Sequence, residues 1–264
     1  MRAHLVQLNI QWESPSDNFD RVRSLIDSTE TSPGDLIALP ELFDNGFTLN
    51  TKDSCDADGQ TIAFLDKLSK DTGCTIQGSR AIMPTDKADP KALNCATVLS
   101  PESSEPLCEY HKVHPFSIGK ELEAYQGGDT VKHYNWYSNT DSLKVCPLIC
   151  YDLRFPELFR KGVVGGAEMF VLGANWPAPR QHHWRSLLIA RAIENQAFVL
   201  GINRCGNDPT LQYDGGSIAI GPKGEILGEL GDEEAVLSVD IDPEDVRRWR
   251  SKFPVLNDIK IRAF

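Results

Sequence analysis

An α/β fold of two sheets packed face to face, with helices outside, is predicted by three features of this sequence. Strand-like and helix-like stretches alternate in two similar halves. No repeat, low-complexity tract or Pro/Gly linker divides them. At 264 residues the chain is long enough to bury a substantial core as one domain. Residues 1–264 are therefore expected to form a single domain, with 250–264 as a docking C-terminal tail.

His4 to Ile10 alternates apolar and polar residues like a half-buried strand, and Asn18 to Ser28 places Phe19, Val22, Leu25 and Ile26 at helical spacing. After Ser32-Pro33-Gly34, Asp35 to Leu39 reads as a short buried strand that stops at Pro40-Glu41. Residues 59–72 supply a helix through Ile62, Leu65 and Leu68. Residues 74–83, 92–99 and 107–111 read as strands parted by polar turns, one of them Asp86 to Pro90. His111-Lys112-Val113-His114 closes the third, before a loop that carries Glu121 and Glu123 and passes through Gly127-Gly128-Asp129.

Residues 143–150 form the next strand, in which Pro147 has no N–H for a ladder and implies a bulge or an unpaired edge. A helix runs from there to about Gly162. Glu168 to Ala174 is a strand ending in Asn175-Trp176-Pro177, and Gln181 to Asn195 a long helix. Strands follow near 197–204, 216–221, 225–230 and 235–241, with Gly221-Pro222-Lys223-Gly224 as a hairpin turn. Asp242-Pro243 opens a last short helix. The tail from Phe253 to Phe264 has apolar residues but no later element to cover them, so it is expected to dock on a neighbouring surface such as a second subunit.

Charge narrows the partners. With 27 Lys+Arg against 38 Asp+Glu and a net charge of −11, nothing attracts the chain to nucleic acid or to an anionic membrane. The N-terminal residues lack the apolar core of a signal peptide, and no apolar run is long enough to span a bilayer. A soluble, cytoplasmic protein is expected. The seven cysteines contain no CxxC pair and read as reduced thiols; Cys74, Cys95, Cys108 and Cys146 lie in strand-like runs and should be buried.

The stretch from Pro147 to Arg160 carries the chemistry. Its pattern is strand, sharp turn, then a helix with Pro156 in the first turn. Cys150 sits at the junction, where the N-terminus of the following helix would favour thiolate over thiol. Glu41 lies just past the C-terminal end of one strand, a position where open α/β sheets collect functional groups, and Lys112 ends another. A thiol, a carboxylate and an ammonium suffice for acyl transfer from nitrogen: the carboxylate takes the thiol proton and returns it to a departing amine, while the ammonium holds the oxyanion. The backbone N–H of Tyr151 is a candidate second oxyanion donor. Asp152, Arg154 and Glu157 are expected to brace the turn by local ion pairs.

Other patterns carry less. His111 and His114, and the pair His182-His183, have no HExxH, CxxC or acidic cluster beside them, so no metal is expected. Gly215-Gly216-Ser217 resembles a nucleophile elbow only loosely, with no strand directly before it. The absence of a Walker A or GxGxxG pattern leaves no nucleotide cofactor implied.

Leu39-Pro40-Glu41-Leu42-Phe43, His111-Lys112-Val113-His114 and Cys150-Tyr151-Asp152-Leu153-Arg154-Phe155-Pro156-Glu157 resemble the three signature blocks of the nitrilase superfamily of carbon–nitrogen hydrolases. Their separations, 71 residues and then 38, also fit, and the resemblance runs from the first strand to Phe253-Pro254. It implies a four-layer α-β-β-α sandwich of two mixed sheets, usually paired through outer helices into an eight-layered dimer, so that a homodimer or a higher homo-oligomer is expected. It also implies Cys150 as nucleophile, Glu41 as base and then acid, and Lys112 as oxyanion stabiliser. A second glutamate after the lysine belongs to the pattern; Glu121 matches by lying eight residues before Asp129, with Glu123 as the alternative. Neither metal nor cofactor is implied.

The superfamily cleaves nitriles, aliphatic amides, carbamoyl amines and glutamine with one triad. Tyr151-Asp152 resembles the amidase branches, since true nitrilases commonly carry Trp-Glu there and run longer. Asn175-Trp176-Pro177-Ala178-Pro179-Arg180, His183-Trp184 and Ala190-Arg191-Ala192-Ile193-Glu194-Asn195 resemble the omega-amidases, notably the bacterial YafV-like ones. That implies a small omega-amide such as 2-oxoglutaramate or 2-oxosuccinamate, whose remote carboxylate needs a cation. Arg180 beside a Trp176 wall would supply it, which makes Asn175, Trp176 and Arg180 the candidate substrate-binding residues. A nitrilase or N-carbamoyl amine hydrolase with the same triad, or a non-catalytic binding protein of the same fold, are the alternatives.

Overall fold

The first half of the chain hydrogen-bonds into one sheet. In the computed structural model, which describes residues 1–84, 91–138 and 141–260, β1 (Arg2–Gln7), β2 (Leu36–Ala38) and β3 (Thr75–Ile82) run parallel. β4 (Leu93–Ser100) and β5 (Ser103–His111) follow, each antiparallel to the strand before it. The second half repeats the plan with β6 (Tyr134–Tyr137), β7 (Ser142–Ile149), β8 (Met169–Ala174) and β9 (Phe198–Asn203), where β7 to β9 are parallel and β6 is an antiparallel edge. A small hairpin of β10 (Cys205–Asn207) and β11 (Gln212–Asp214) stands apart. β12 (Ile218–Ile220) and β13 (Ile226–Glu229) complete the second sheet, in the order β13-β12-β9-β8-β7-β6. β14 (Ala235–Asp240) returns to pair with β1, giving the order β14-β1-β2-β3-β4-β5.

The helices are α1 (Pro15–Asp27), the single turn α2 (Thr51–Ser54), α3 (Gln60–Thr72), the single turn α4 (Glu121–Ala124), α5 (Pro156–Val164), α6 (Gln181–Asn195) and α7 (Pro243–Lys252). Apolar spacing decides where they lie. Val22 and Ile26 of α1 and Leu65 and Leu68 of α3 bury against Val6, Ile37 and Ile76 on the outer face of the first sheet. Leu158 and Phe159 of α5 and Trp184 and Leu188 of α6 do the same against Leu148, Phe170 and Val199 of the second. Between the sheets, Leu5, Leu36 and Val98 meet Val145, Val171 and Leu200. The result is an α-β-β-α sandwich.

The alternation of apolar residues located most elements to within a few positions, and α6 to the residue. The turn expected over Asp86 to Pro90 lies outside the described residues, as does the end of the tail, 261–264. Pro147 pairs in register with Val171 of β8, while β6 reaches only as far as Val145, so the edge beside Pro147 is unpaired as its missing N–H requires. In the tail, Phe253 accepts a hydrogen bond from Gln196 and Leu256 packs against the core of the same chain. Among the described residues no helix is long and apolar enough to cross a membrane.

Candidate active site

Parallel strands bring the site together. β2 and β5 run the same way in the first sheet and deliver Glu41 and Lys112 just past their ends; β7 and β8, neighbours in the second, deliver Cys150 and Asn175. The two sheets meet closely here because residue 173 is glycine. A Cβ at Gly173 would lie 2.8 Å from the carbonyl oxygen of Leu39 and 3.0 Å from the backbone nitrogen of Glu41. Backbone strain gathers at the same place: of the five described non-glycine residues with positive φ, Cys150 (+43°), Leu42 (+45°) and Lys120 (+60°) are a site residue or the neighbour of one. Each such conformation costs about 1–3 kcal/mol and persists only where its surroundings enforce it.

Lys112 is buried between two carboxylates. Its Nζ lies 2.8 Å from Glu41 Oε1 and 3.1 and 2.9 Å from the two oxygens of Glu121. An ammonium has three donors, so two are committed and one is left for the cavity that Lys112 also lines. Glu123 points away and meets Lys120 on the surface. Asn94 on β4 stands under the group, donating to Glu41 Oε1 at 2.8 Å and to Glu121 Oε1 at 3.4 Å. Glu41 Oε2 accepts from the backbone N–H of Asn175 at 2.9 Å, and the Cys150 thiol points at the Asn175 carbonyl, 3.9 Å away.

The electrostatics follow from burial and these pairs. Burial alone would raise Glu41, but the Lys112 charge and its hydrogen bonds outweigh it and hold the carboxyl below its ordinary value. Glu121 is raised, by burial and by the nearby Glu41 charge, against the pull of Lys112. Lys112 is burdened by desolvation yet held well above its ordinary value by the two carboxylates. Burial, reinforced by Glu41, pushes the Cys150 thiol well up. Against the preference for thiolate expected from the turn, burial and the Glu41 charge favour the thiol form of Cys150, while Lys112 favours the carboxylate form of Glu41. The helix invoked for that preference, α5, begins six residues later at Pro156, after a tight turn over Cys150–Arg154.

Asp152 braces that turn through hydrogen bonds and a contact of 3.1 Å with His114 Nδ1. Its carboxylate accepts from Tyr110 Oη at 2.7 Å, Ile149 N at 3.1 Å and His114 N at 3.0 Å. Arg154 instead lies over the Trp176 ring at 4.9 Å, and Glu157 is exposed. A cavity of about 480 Å³ lies against the thiol, lined by Cys150, Lys112, Asn175 and Arg180 together with Trp12, Leu49 and Leu211. Trp176 is not on this wall. It lines a niche of about 30 Å³ beside Cys150 and fixes the Arg180 turn by donating from Nε1 to the Arg180 carbonyl at 2.8 Å. The ring beneath the Arg180 guanidinium is Phe116, at 5.6 Å.

The β10–β11 hairpin adds Asp208, Thr210, Leu211 and Tyr213 to the cavity, none of which sequence reasoning singled out. The one available signal was the Asp208-Pro209 turn. Because β11 ends at Asp214, a strand does directly precede Gly215-Gly216-Ser217, contrary to expectation. Ser217 is nonetheless buried, and its hydroxyl is engaged by the backbone of Asn203.

A thiol and an ammonium with a spare donor on one cavity, with a carboxylate buried behind them, are the kinds of group that a cysteine hydrolase of an acyl carbon uses. The chain belongs to the carbon–nitrogen hydrolase family, whose pattern matches residues 2–251, and is a hydrolase of carbon–nitrogen bonds other than peptide bonds. Among its relatives is the 2-oxoglutaramate amidase of Bacillus subtilis (strain 168), 35% identical over 258 residues that cover 97% of this chain and 96% of that protein. The omega-amidase YafV of Yersinia enterocolitica is 32% identical over 260 residues, covering 98% and 96%. Among solved structures, a carbon–nitrogen hydrolase superfamily protein of Xanthomonas campestris, with an arsenic adduct in its active site, superposes with a TM-score of 0.90 at 29% identity, covering 100% of this chain and 98% of its own.

Proposed function

We propose that this protein hydrolyses a small omega-amide such as 2-oxoglutaramate or 2-oxosuccinamate, through a thioester on Cys150, and releases ammonia. The observation that carries the reading is the convergence of Cys150, Lys112 and the Arg180 guanidinium on one cavity, with Glu41 buried against its wall. The names of the relatives point the same way. Glu41 takes the thiol proton as sulfur adds to the amide carbon, and the free N–H of Lys112 with the Tyr151 backbone N–H receives the oxyanion. Glu41 then protonates the leaving nitrogen and activates the water that cleaves the thioester. Glu121 keeps Lys112 charged and aimed. Arg180, which has no carboxylate partner among the described residues, seats the carboxylate at the far end of the substrate.

Ammonia release from 2-oxoglutaramate, a neutral aliphatic amide, a nitrile and an N-carbamoyl amino acid tests the proposal. Turnover is expected to be fastest on 2-oxoglutaramate. Preference for the nitrile or the carbamoyl compound would overturn the substrate reading, and no release from any of the four, the hydrolytic one.

A further inference from the structure

A carboxylate that serves as base and then as acid needs one oxygen with a lone pair left over to exchange a proton, that is, an oxygen with one close donor rather than two. We infer that in Glu41 this atom is Oε2, and that Asn94 is the positioning residue that makes it so by occupying Oε1. The inference rests on Glu41 acting as proposed above.

Asn94 is fully buried on β4 and donates to Glu41 Oε1 at 2.8 Å. The orientation of its amide is dictated by its neighbours. The Leu42 N–H donates to Ser79 Oγ at 2.8 Å, which leaves the hydroxyl proton of Ser79 for Asn94 Oδ1, 3.1 Å away. Turned over, the amide would set its oxygen against two carboxylates, Glu41 and Glu121. The chain of donors thus runs from Leu42 through Ser79 and Asn94 to Glu41. It begins and ends on consecutive residues, across the backbone that Leu42 holds at φ +45°.

Oε1 therefore accepts from both Lys112 Nζ and Asn94 Nδ2, each at 2.8 Å. Oε2 accepts from Asn175, whose backbone N–H is 2.9 Å away and whose side-chain nitrogen is more distant at 3.4 Å. The Asn175 carbonyl is also where the Cys150 thiol points. The proton leaves sulfur for Oε2 as the S–C bond forms and the carbonyl electron pair moves to oxygen. When the C–N bond breaks, its electron pair stays on nitrogen and takes the Oε2 proton, so ammonia departs and Glu41 is again a carboxylate. With Asn94 absent, ionised Glu41 loses a donor and is easier to protonate.

The test uses the full chain with Asn94→Ala, Ser79→Ala and Ser79→Thr. It measures the pH profile of kcat/KM for ammonia release from 2-oxoglutaramate and the pH profile of Cys150 alkylation by iodoacetamide. Asn94→Ala is expected to move the acidic limb of both profiles upward by about one pH unit and to lower kcat by about tenfold or more, with KM little changed. Ser79→Ala moves the limb the same way by less, and Ser79→Thr, which keeps the hydroxyl, restores it. Unmoved midpoints in Asn94→Ala, with only a uniform drop in rate that tracks a lower melting temperature, would overturn the inference. So would equal behaviour of the two Ser79 variants. If the unaltered protein releases no ammonia, the functional reading fails by itself, and the alkylation midpoint still decides the role of Asn94.

Discussion

Lys112 and Glu121 form a two-pronged contact with no exposure to solvent: the ammonium lies 2.9 and 3.1 Å from the two carboxylate oxygens, and neither side chain is more than 1% exposed. Glu41 shares the same cation from the other side. Three buried charges that sum to minus one are tolerable only while the cation is present.

Replacement of Lys112 by Met is thus expected to cost about 3–5 kcal/mol of stability at neutral pH, since it leaves two carboxylates face to face. A second change, Glu121→Gln, should recover most of that stability and none of the turnover. Urea unfolding of the four proteins in the cycle measures the coupling. Absence of recovery in the double variant would show that Glu121 is not the group Lys112 neutralises.

Gly173→Ala addresses the meeting of the two sheets. The added methyl would sit 2.8 Å from the Leu39 carbonyl oxygen and drive the Glu41 loop away from Cys150. A displacement of this kind costs about 100-fold in kcat even where folding survives. The expected outcome is a folded protein by circular dichroism with turnover lowered on that scale. Unaltered kcat would mean that the spacing of Glu41 and Cys150 is not set there.

Arg180→Ala should separate recognition from chemistry. A hydrogen bond to a charged group contributes about 1.5–3 kcal/mol, so kcat/KM for 2-oxoglutaramate should fall by about 10- to 100-fold. A neutral amide should be turned over nearly as before. Equal loss on both substrates would remove Arg180 from the carboxylate seat.

Asp44 gives the fold a pH dependence of its own. It is buried, with one oxygen bonded to Thr61 Oγ1 and the other without a partner, and burial pushes its carboxyl up to about 6. Because the folded value lies above the unfolded one, the neutral form favours the fold. That contribution is complete below the ordinary carboxylate range and is lost as pH rises through about 6, on the order of 3 kcal/mol in all. Chemical denaturation between pH 4.5 and 7.5 should show this decline, and Asp44→Asn should flatten it. An equally steep decline in the variant would place the titrating group elsewhere.

The sequence made legible the layers and the three residues that the fold brings together, because both follow from local signals. Apolar spacing locates most of the strands; Lys112 and Cys150 stand directly after theirs and Glu41 three residues after its own, where the chain must turn. β6 was overlooked although Tyr134 and Trp136 are buried and Asn135 and Tyr137 exposed, a clean alternation only four residues long. β10 and β11, three residues each and largely polar, gave no periodic signal at all. Asn94 was hidden for a different reason. An asparagine inside a strand reads as an ordinary interruption, and its value comes from Glu41 and Glu121, 53 and 27 residues away, which only the folded chain brings to it. The direction in which Cys150 is shifted was hidden for a similar reason: the local turn suggested a helix dipole, whereas desolvation and a carboxylate contributed by the other sheet pull towards the thiol.

Glu41 and Cys150 hang from opposite layers of the sandwich, and the last strand, β14, forms the edge of the layer that carries Glu41. A chain caught halfway through folding therefore owns either a carboxylate with no thiol to act on or a thiol with no proton acceptor. The combination of groups arrives only when the two layers close on each other, so an incomplete molecule carries an ordinary cysteine and no assembled site.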